Sequence, residues 1–160
     1  MMKPRIGFGF DVHPLATNYS FWLGGIALEY EKGTVGHSDA DVLIHAICDA
    51  LLGAANLRDI GFHFPNTAIE FKNIDSKILL KRVIDLLASN NYTIGNIDAT
   101  VCLENPKINP HIPFMQQTLA KVMNIPVNDI SIKATTNEKL GYVGREEGVC
   151  AYAVAILFSK

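Results

Sequence analysis

The sequence contains no basic run and no arginine stripe: 14 Lys and Arg stand against 16 Asp and Glu, for a formal charge of -2. That balance offers no footprint for a polyanion, so no nucleic-acid partner is expected. No stretch approaches the roughly 20 apolar residues that cross a bilayer. The apolar part of the opening MMKPRIGFGF is too short for a secretory signal. The expectation is a cytoplasmic protein with no membrane partner. Cysteine is scarce and odd in number, with Cys48, Cys102 and Cys150 widely spaced in apolar runs. This argues against a disulfide framework or a Cys-based zinc site and fits buried free thiols in a reducing compartment. Repeats, linkers and low-complexity segments are also missing. The 160 residues, 49% of them hydrophobic, therefore read as one domain, 1–160, able to bury a continuous core.

Against this apolar background, GFDVHP and HSDADVLIHAICDA place Asp11, His13, Asp41, His45 and Asp49 where packing alone would favour apolar side chains. Alternation from Arg5 to His13 predicts a strand with Ile6, Phe8, Phe10 and Val12 on one face and Gly7, Gly9, Asp11 and His13 on the other. SFWLGGIALEYEKG predicts two short strands around Gly24 and Gly25. Ser38 and Asp41 then form an S-x-x-D start signal for a helix, apolar nearly all round, running to about Asn56. RDIGFHFPNT reads as a loop, and IDSKILLKRVIDLLASNN as an amphipathic helix capped by Asp75 or Ser76. A strand in GNIDATVCLE, a loop in NPKINPHIP, a helix in FMQQTLAKVMN and a strand in DISIKATT follow, and GVCAYAVAILF reads as a continuous buried strand. Strands interspersed with two or three helices imply an α/β sandwich, a mixed β-sheet packed with α-helices.

Asp11 and His13, two apart on a strand, project to one side; Asp41, His45 and Asp49, spaced by four on a helix, form one polar stripe. If the two elements face each other, Asp11, His13 and His45 supply the three N/O ligands of a catalytic Zn²⁺ with an open fourth position. Asp41 or Asp49 could then orient an imidazole. The alternatives, with no metal, are a set of hydrogen-bonded buried polar residues or a helix face that simply meets water. A second candidate is KATTNEKLGYVGREEG, where a strand ends in hydroxyls, an acid, a base and three glycines, a composition that suits phosphate but also describes an ordinary polar loop. His63 and His111, in GFHFP and NPHIP, read as loop or surface residues rather than ligands.

Together, GFDVHPL, GHSDADVLIHAICDALLGAANLRDIGFHFPNT, NPKINPHIP and IKATTNEKLGYVGREEG closely resemble the 2-C-methyl-D-erythritol 2,4-cyclodiphosphate synthase family of the non-mevalonate isoprenoid pathway, over essentially the whole chain. The resemblance implies a small two-layer α/β sandwich assembled as a homotrimer with active sites between subunits. It also implies the reaction. The 2-phosphate of 4-diphosphocytidyl-2-C-methyl-D-erythritol 2-phosphate attacks the β-phosphorus of the same molecule, closing a cyclic diphosphate and expelling CMP. By the same resemblance, one zinc per chain sits on Asp11, His13 and His45, Glu138 binds a second divalent ion, Mg²⁺ or Mn²⁺, and His37 and Thr136 stabilise the transition state.

The resemblance extends to the substrate. His37 and Ser38 match a mobile stretch over the 2-phosphate; Asp59, Ile60 and Gly61 match methylerythritol contacts; Phe64, Pro65, Asn66, Thr67 and Ala68 line the same pocket. Cytidine recognition maps to Leu103 through Asn109, including Lys107 and Ile108, and to Ala134, Thr135 and Thr136. Tyr142 and Arg145 match further diphosphate or pocket positions. Two departures stand out. FPNTA replaces the usual F-P-D-T-D, putting Asn66 where an acid contacts the erythritol hydroxyls, and TTNE replaces T-T-T-E, putting Asn137 beside Glu138. Because an amide oxygen still accepts a hydrogen bond, altered affinity rather than lost activity is expected. The competing readings are a non-catalytic trimeric cytidine-nucleotide-binding module and a metal-dependent phosphohydrolase.

Overall fold

In the computed structural model, which describes residues 3–159, strand β1 (Pro4–Thr17) alternates as its sequence predicts. It is the glycine row, not the apolar row, that meets the core. A Cβ on Gly7 would run into the carbonyl oxygen of Ala50, and one on Gly9 into that of Ala46. Glycine here lets helix α1 (Val42–Ala54) lie directly on the strand. The alanines 151, 153 and 155 of β7 (Gly148–Ser159) continue the same small-residue floor and are buried. On the opposite face Ile6 is 72% and Phe8 62% exposed, with Phe10, Val12, Tyr152 and Val154 around them. The β7 run is thus buried on both faces only over Gly148–Ala151, and from Tyr152 onward its outer face is open.

The remaining elements are β2 (Phe21–Leu23), β3 (Ile26–Leu28), β4 (Lys32–Thr34), α2 (Ile60–His63), α3 (Ser76–Ser89), β5 (Tyr92–Cys102), α4 (Ile112–Met123), β6 (Ile130–Thr135) and α5 (Gly141–Gly144). Five strands form a mixed sheet in the order β4-β1-β7-β5-β6. β5 and β6 run parallel, and the other neighbours are antiparallel. β2 and β3 form a separate hairpin. β1 outruns the expected Arg5–His13 span because Leu15 to Thr17 pair with β4.

Helix α1 is buried almost all round, as its composition requires, lying among the sheet, α3 and the hairpin. It starts three residues later than the S-x-x-D signal suggests. The N-cap is Asp41, whose carboxylate accepts from Ile44 N at 3.0 Å, while Ser38 stays in the preceding loop. At its other end Asn56, in the left-handed region at φ 59°, and Leu57 donate back to Gly53 and Leu52, closing the helix. Asp75 caps α3 by accepting from Lys77 N at 2.8 Å, one of the two caps the sequence allows. RDIGFHFPNT is not wholly loop, since Ile60–His63 make one helical turn. All three cysteines are buried free thiols, as expected, and no helix among the described residues is long and apolar enough to cross a membrane.

Candidate active site

The close approach of α1 to the glycine row carries His45 onto the end of β1 where Asp11 and His13 project. The ligand atoms of these three side chains lie within 4.8 Å of one another. Asp11 Oδ2 is 2.8 Å from His13 Nε2 and 2.9 Å from His45 Nδ1, and the two nitrogens are 3.1 Å apart. Burial alone would raise the Asp11 carboxyl, but hydrogen bonds and charge from His13 and His45 outweigh it and bring it down to about 2. For His45 burial lowers the imidazole, and Asp11, with the more distant Asp41 and Asp39, turns the net shift upward. Two imidazoles and one carboxylate converging on a point, with neither His63 nor His111 among them, form a donor set suited to zinc.

Neither of the other helix acids orients an imidazole. Asp41 is fully buried, and besides capping α1 it accepts from Gly24 N at 3.0 Å and Gly25 N at 2.7 Å. Those glycines sit at φ 61° and 80°, where a side chain would be strained, so Asp41 pins the β2–β3 turn to the helix start. Asp49 accepts from Ile60 N at 2.7 Å and anchors α2; burial raises its carboxyl, partly offset by that N–H. The groups that do hold the rings lie elsewhere. His13 Nδ1 is 3.1 Å from the Val35 carbonyl, and His45 Nε2 is 2.9 Å from Ser76 Oγ and 3.2 Å from Ser38 Oγ. From sequence Ser76 reads only as a helix cap; no periodicity announces a contact between the start of α3 and the middle of α1.

The triad opens into a cavity of about 490 Å³ whose wall includes His37, Ser38, Ile60, Gly61, Phe64, Pro65 and Asn66. Asp59 begins α2 at its edge. Ala68 offers its carbonyl to His37 Nε2 at 3.2 Å, and Thr67 is exposed between it and Asn66. Phe71 and Leu79 complete an apolar side. A second cavity, of about 270 Å³, lies at the ends of β5 and β6 and is lined by Leu103, Lys107, Ile108, Asn109, Ala134, Thr135 and Thr136, together with Pro106. The two cavities share no residue, so the single chain divides the expected site into two halves.

Glu138, Tyr142 and Arg145 line neither cavity. Glu138 is exposed beside the second, accepting from Thr136 Oγ1 at 3.0 Å. Arg145 is exposed and paired through two nitrogens with Glu147, at 3.0 and 2.9 Å, and Tyr142 sits on α5. Within the Leu103–Asn109 stretch, one side chain serves the neighbouring loop. Glu104, buried, accepts from Asn137 N at 3.0 Å and Lys139 N at 3.2 Å and pairs with Lys139 Nζ at 3.0 Å. Glu138 and Lys139 have φ of 52° and 65°, so Glu104 holds a loop whose backbone is otherwise costly.

Residues 4–158 match the YgbB family model. The chain is 67% identical over 156 residues to 2-C-methyl-D-erythritol 2,4-cyclodiphosphate synthase of Bacteroides fragilis, covering 98% of both chains. It is 65% identical over 160 residues to that of Porphyromonas gingivalis, covering 99% of both. Among solved structures, the CDP complex of IspF from Plasmodium falciparum is similar with a TM-score of 0.87 at 33% identity, over 98% of this chain and 97% of that one. The bifunctional IspDF of Campylobacter jejuni is similar with a TM-score of 0.96 at 38% identity, over all of this chain and 43% of that one. The chain belongs to the YgbB family, alongside relatives named 2-C-methyl-D-erythritol 2,4-cyclodiphosphate synthase.

Proposed function

We propose that this chain converts 4-diphosphocytidyl-2-C-methyl-D-erythritol 2-phosphate to 2-C-methyl-D-erythritol 2,4-cyclodiphosphate and CMP, an enzyme step of isoprenoid biosynthesis of the phosphorus-oxygen lyase type. The observation that carries the proposal is the Asp11, His13, His45 cluster at the mouth of a cavity walled by His37, Ile60, Gly61, Phe64 and Asn66. Its support from the comparisons is twofold: near-full-length relatives bear the synthase name, and a solved relative of the same fold is a CDP complex.

An oxygen of the 2-phosphate forms the new bond to the β-phosphorus, and the bond from that phosphorus to the bridging oxygen breaks, its electron pair leaving with CMP. Zinc, when bound by Asp11, His13 and His45, supplies Lewis-acid polarisation of a phosphoryl oxygen. The protein's task is otherwise alignment and charge compensation. His37, whose Nε2 donates to the Ala68 carbonyl, stands on the cavity wall where the 2-phosphate would lie. The apolar side formed by Ile60, Phe64, Phe71 and Leu79 limits water, which would otherwise compete as nucleophile. Thr136 presents its hydroxyl at the second cavity beside Glu138. A single exposed carboxylate next to a diphosphate suits Mg²⁺ or Mn²⁺, which take few protein ligands and share the phosphates.

The working site is formed between copies in a homotrimer. β7 and β5 separate β1, which carries Asp11 and His13, from β6, which leads to Thr136. Three strand spacings amount to roughly 14 Å. The open apolar face of β1 and β7 supplies a surface that a second copy can bury. The metal-bearing cavity of one copy then completes the nucleotide cavity of the next. Phosphorus NMR of the products tests the reaction. Cyclic diphosphate and CMP in equal amounts support it; orthophosphate release identifies a phosphohydrolase, and nucleotide binding without turnover a binding module.

A further inference from the structure

We infer that Ser76 and Asp39 select the nitrogen that His45 offers to the metal. The inference rests on the zinc reading given above for Asp11, His13 and His45. Ser76, the first residue of α3, is fully buried. Its Oγ touches the Asp39 carboxylate on one side and lies 2.9 Å from His45 Nε2 on the other. Asp39 is fixed in turn, accepting from Ser76 N at 2.9 Å and from Asp41 N at 3.2 Å.

The direction of each hydrogen bond follows from the groups involved. An ionised carboxylate can only accept, so the single hydroxyl proton of Ser76 points to Asp39. Ser76 Oγ then has only lone pairs for the imidazole, and His45 must donate from Nε2. Ser38 Oγ, 3.2 Å from the same nitrogen, has a lone pair that can accept there as well. A neutral imidazole protonated at Nε2 carries its lone pair at Nδ1, the atom 2.9 Å from Asp11 and 3.1 Å from His13 Nε2. The Val35 carbonyl does the same for His13, taking the Nδ1 proton and leaving Nε2 free. Both nitrogens that face Asp11 are therefore presented as donors to a cation. Asp39 acts through Ser76, and Ser76 through His45; both are positioning residues.

The test is zinc affinity, measured by competition with a chromogenic chelator, together with the position of the His45 ring proton from nitrogen-15 NMR of the zinc-loaded protein. Ser76→Ala is expected to weaken zinc binding by about 10–100-fold, the usual cost of losing a group that holds a ligating histidine. Asp39→Ala is expected to act in the same direction. The double variant is expected to bind no more weakly than Ser76→Ala alone, because the two residues act in series. Ser76→Thr, which keeps the hydroxyl, is expected to restore most of the affinity. In the wild type, His45 is expected to be protonated at Nε2, with that population falling in Ser76→Ala. Affinity of Ser76→Ala within twofold of the wild type, additive losses in the double variant, or a wild-type His45 protonated at Nδ1 would each overturn the inference while leaving the metal site standing. A wild type that binds no zinc would remove the metal reading and this inference with it.

Discussion

His13 Nε2 and His45 Nδ1 lie 3.1 Å apart, and both contact the same oxygen of Asp11. Such an arrangement suits a cation better than a proton, because only one proton at a time can lie between each nitrogen and the carboxylate. Purified without added metal, the protein is expected to carry about one zinc per chain, and His45→Ala to carry almost none. Elemental analysis checks this, with circular dichroism to show that the variant is folded. A metal-free wild type would contradict it.

The same cluster fixes a pH dependence in the metal-free protein. Asp11 titrates near 2 when folded against an ordinary value of 3.8, so its stabilisation is present above about 4 and disappears as the pH falls toward 2, a change of roughly 2 kcal/mol. His45 is shifted the other way. Its contribution is complete below its ordinary 6.5 and is lost as the pH rises through its higher folded value. Zinc competes with those protons, so the gain in melting temperature on adding zinc is expected to grow from pH 6 to pH 8. Thermal melts with and without zinc measure it, and a gain that shrinks over that range would count against these ligands.

Much of this site is legible in the sequence. The Asp-x-His on a strand and the His on an apolar helix supply a donor set that could hold a metal, and their residue types narrow its chemistry. The contacts that order them are less accessible. Ser76 looks like an ordinary helix start, Asp39 like a loop acid, and Glu104 like a strand-end charge, because each acts through a partner more than 30 positions away. The face of β1 was equally hard to read. Hydropathy marks Ile6, Phe8, Phe10 and Val12 as the apolar row, yet it is Gly7 and Gly9 that let the helix approach.

Gly9→Ala tests that approach. The new methyl meets the backbone of Ala46, which cannot rotate away as a side chain could. Overpacking of this kind typically costs about 1–3 kcal/mol, and the displacement of α1 should carry His45 away from Asp11. A lower melting temperature together with weaker zinc binding is expected; an unchanged melt would show that the helix does not rest on this strand.

Asn66 lies on the wall of the cavity beside Asp11, His13 and His45 and not in the one at the ends of β5 and β6. A charge-assisted hydrogen bond contributes about 1.5–3 kcal/mol against about 0.5–1.5 for a neutral one. Asn66→Asp is therefore expected to lower the KM for the substrate by about tenfold or less, with CMP affinity unchanged. If CMP affinity moves as far as that for substrate, the residue acts through the loop and not through contact.

Glu138→Gln is expected to lower turnover much more than CMP affinity, since the charge it helps to hold matters most as the leaving group departs. Equal losses in both would indicate a ground-state binding role, and no loss would leave Glu138 a solvated loop acid.

In the proposed homotrimer, the cavity of one copy that holds Asp11, His13 and His45 and the cavity of another copy that holds Lys107 and Thr136 act on the same substrate molecule. Coexpression of two inactive chains, His45→Ala and the double variant Lys107→Ala/Glu138→Ala, tests it directly. Tagged differently and purified as mixed assemblies, they form some sites from the intact half of each. Activity is expected to return, to about a third of the wild type, because each mixed cyclic trimer has one junction of its three that joins two intact halves. Mixed assemblies as inactive as either parent would contradict it.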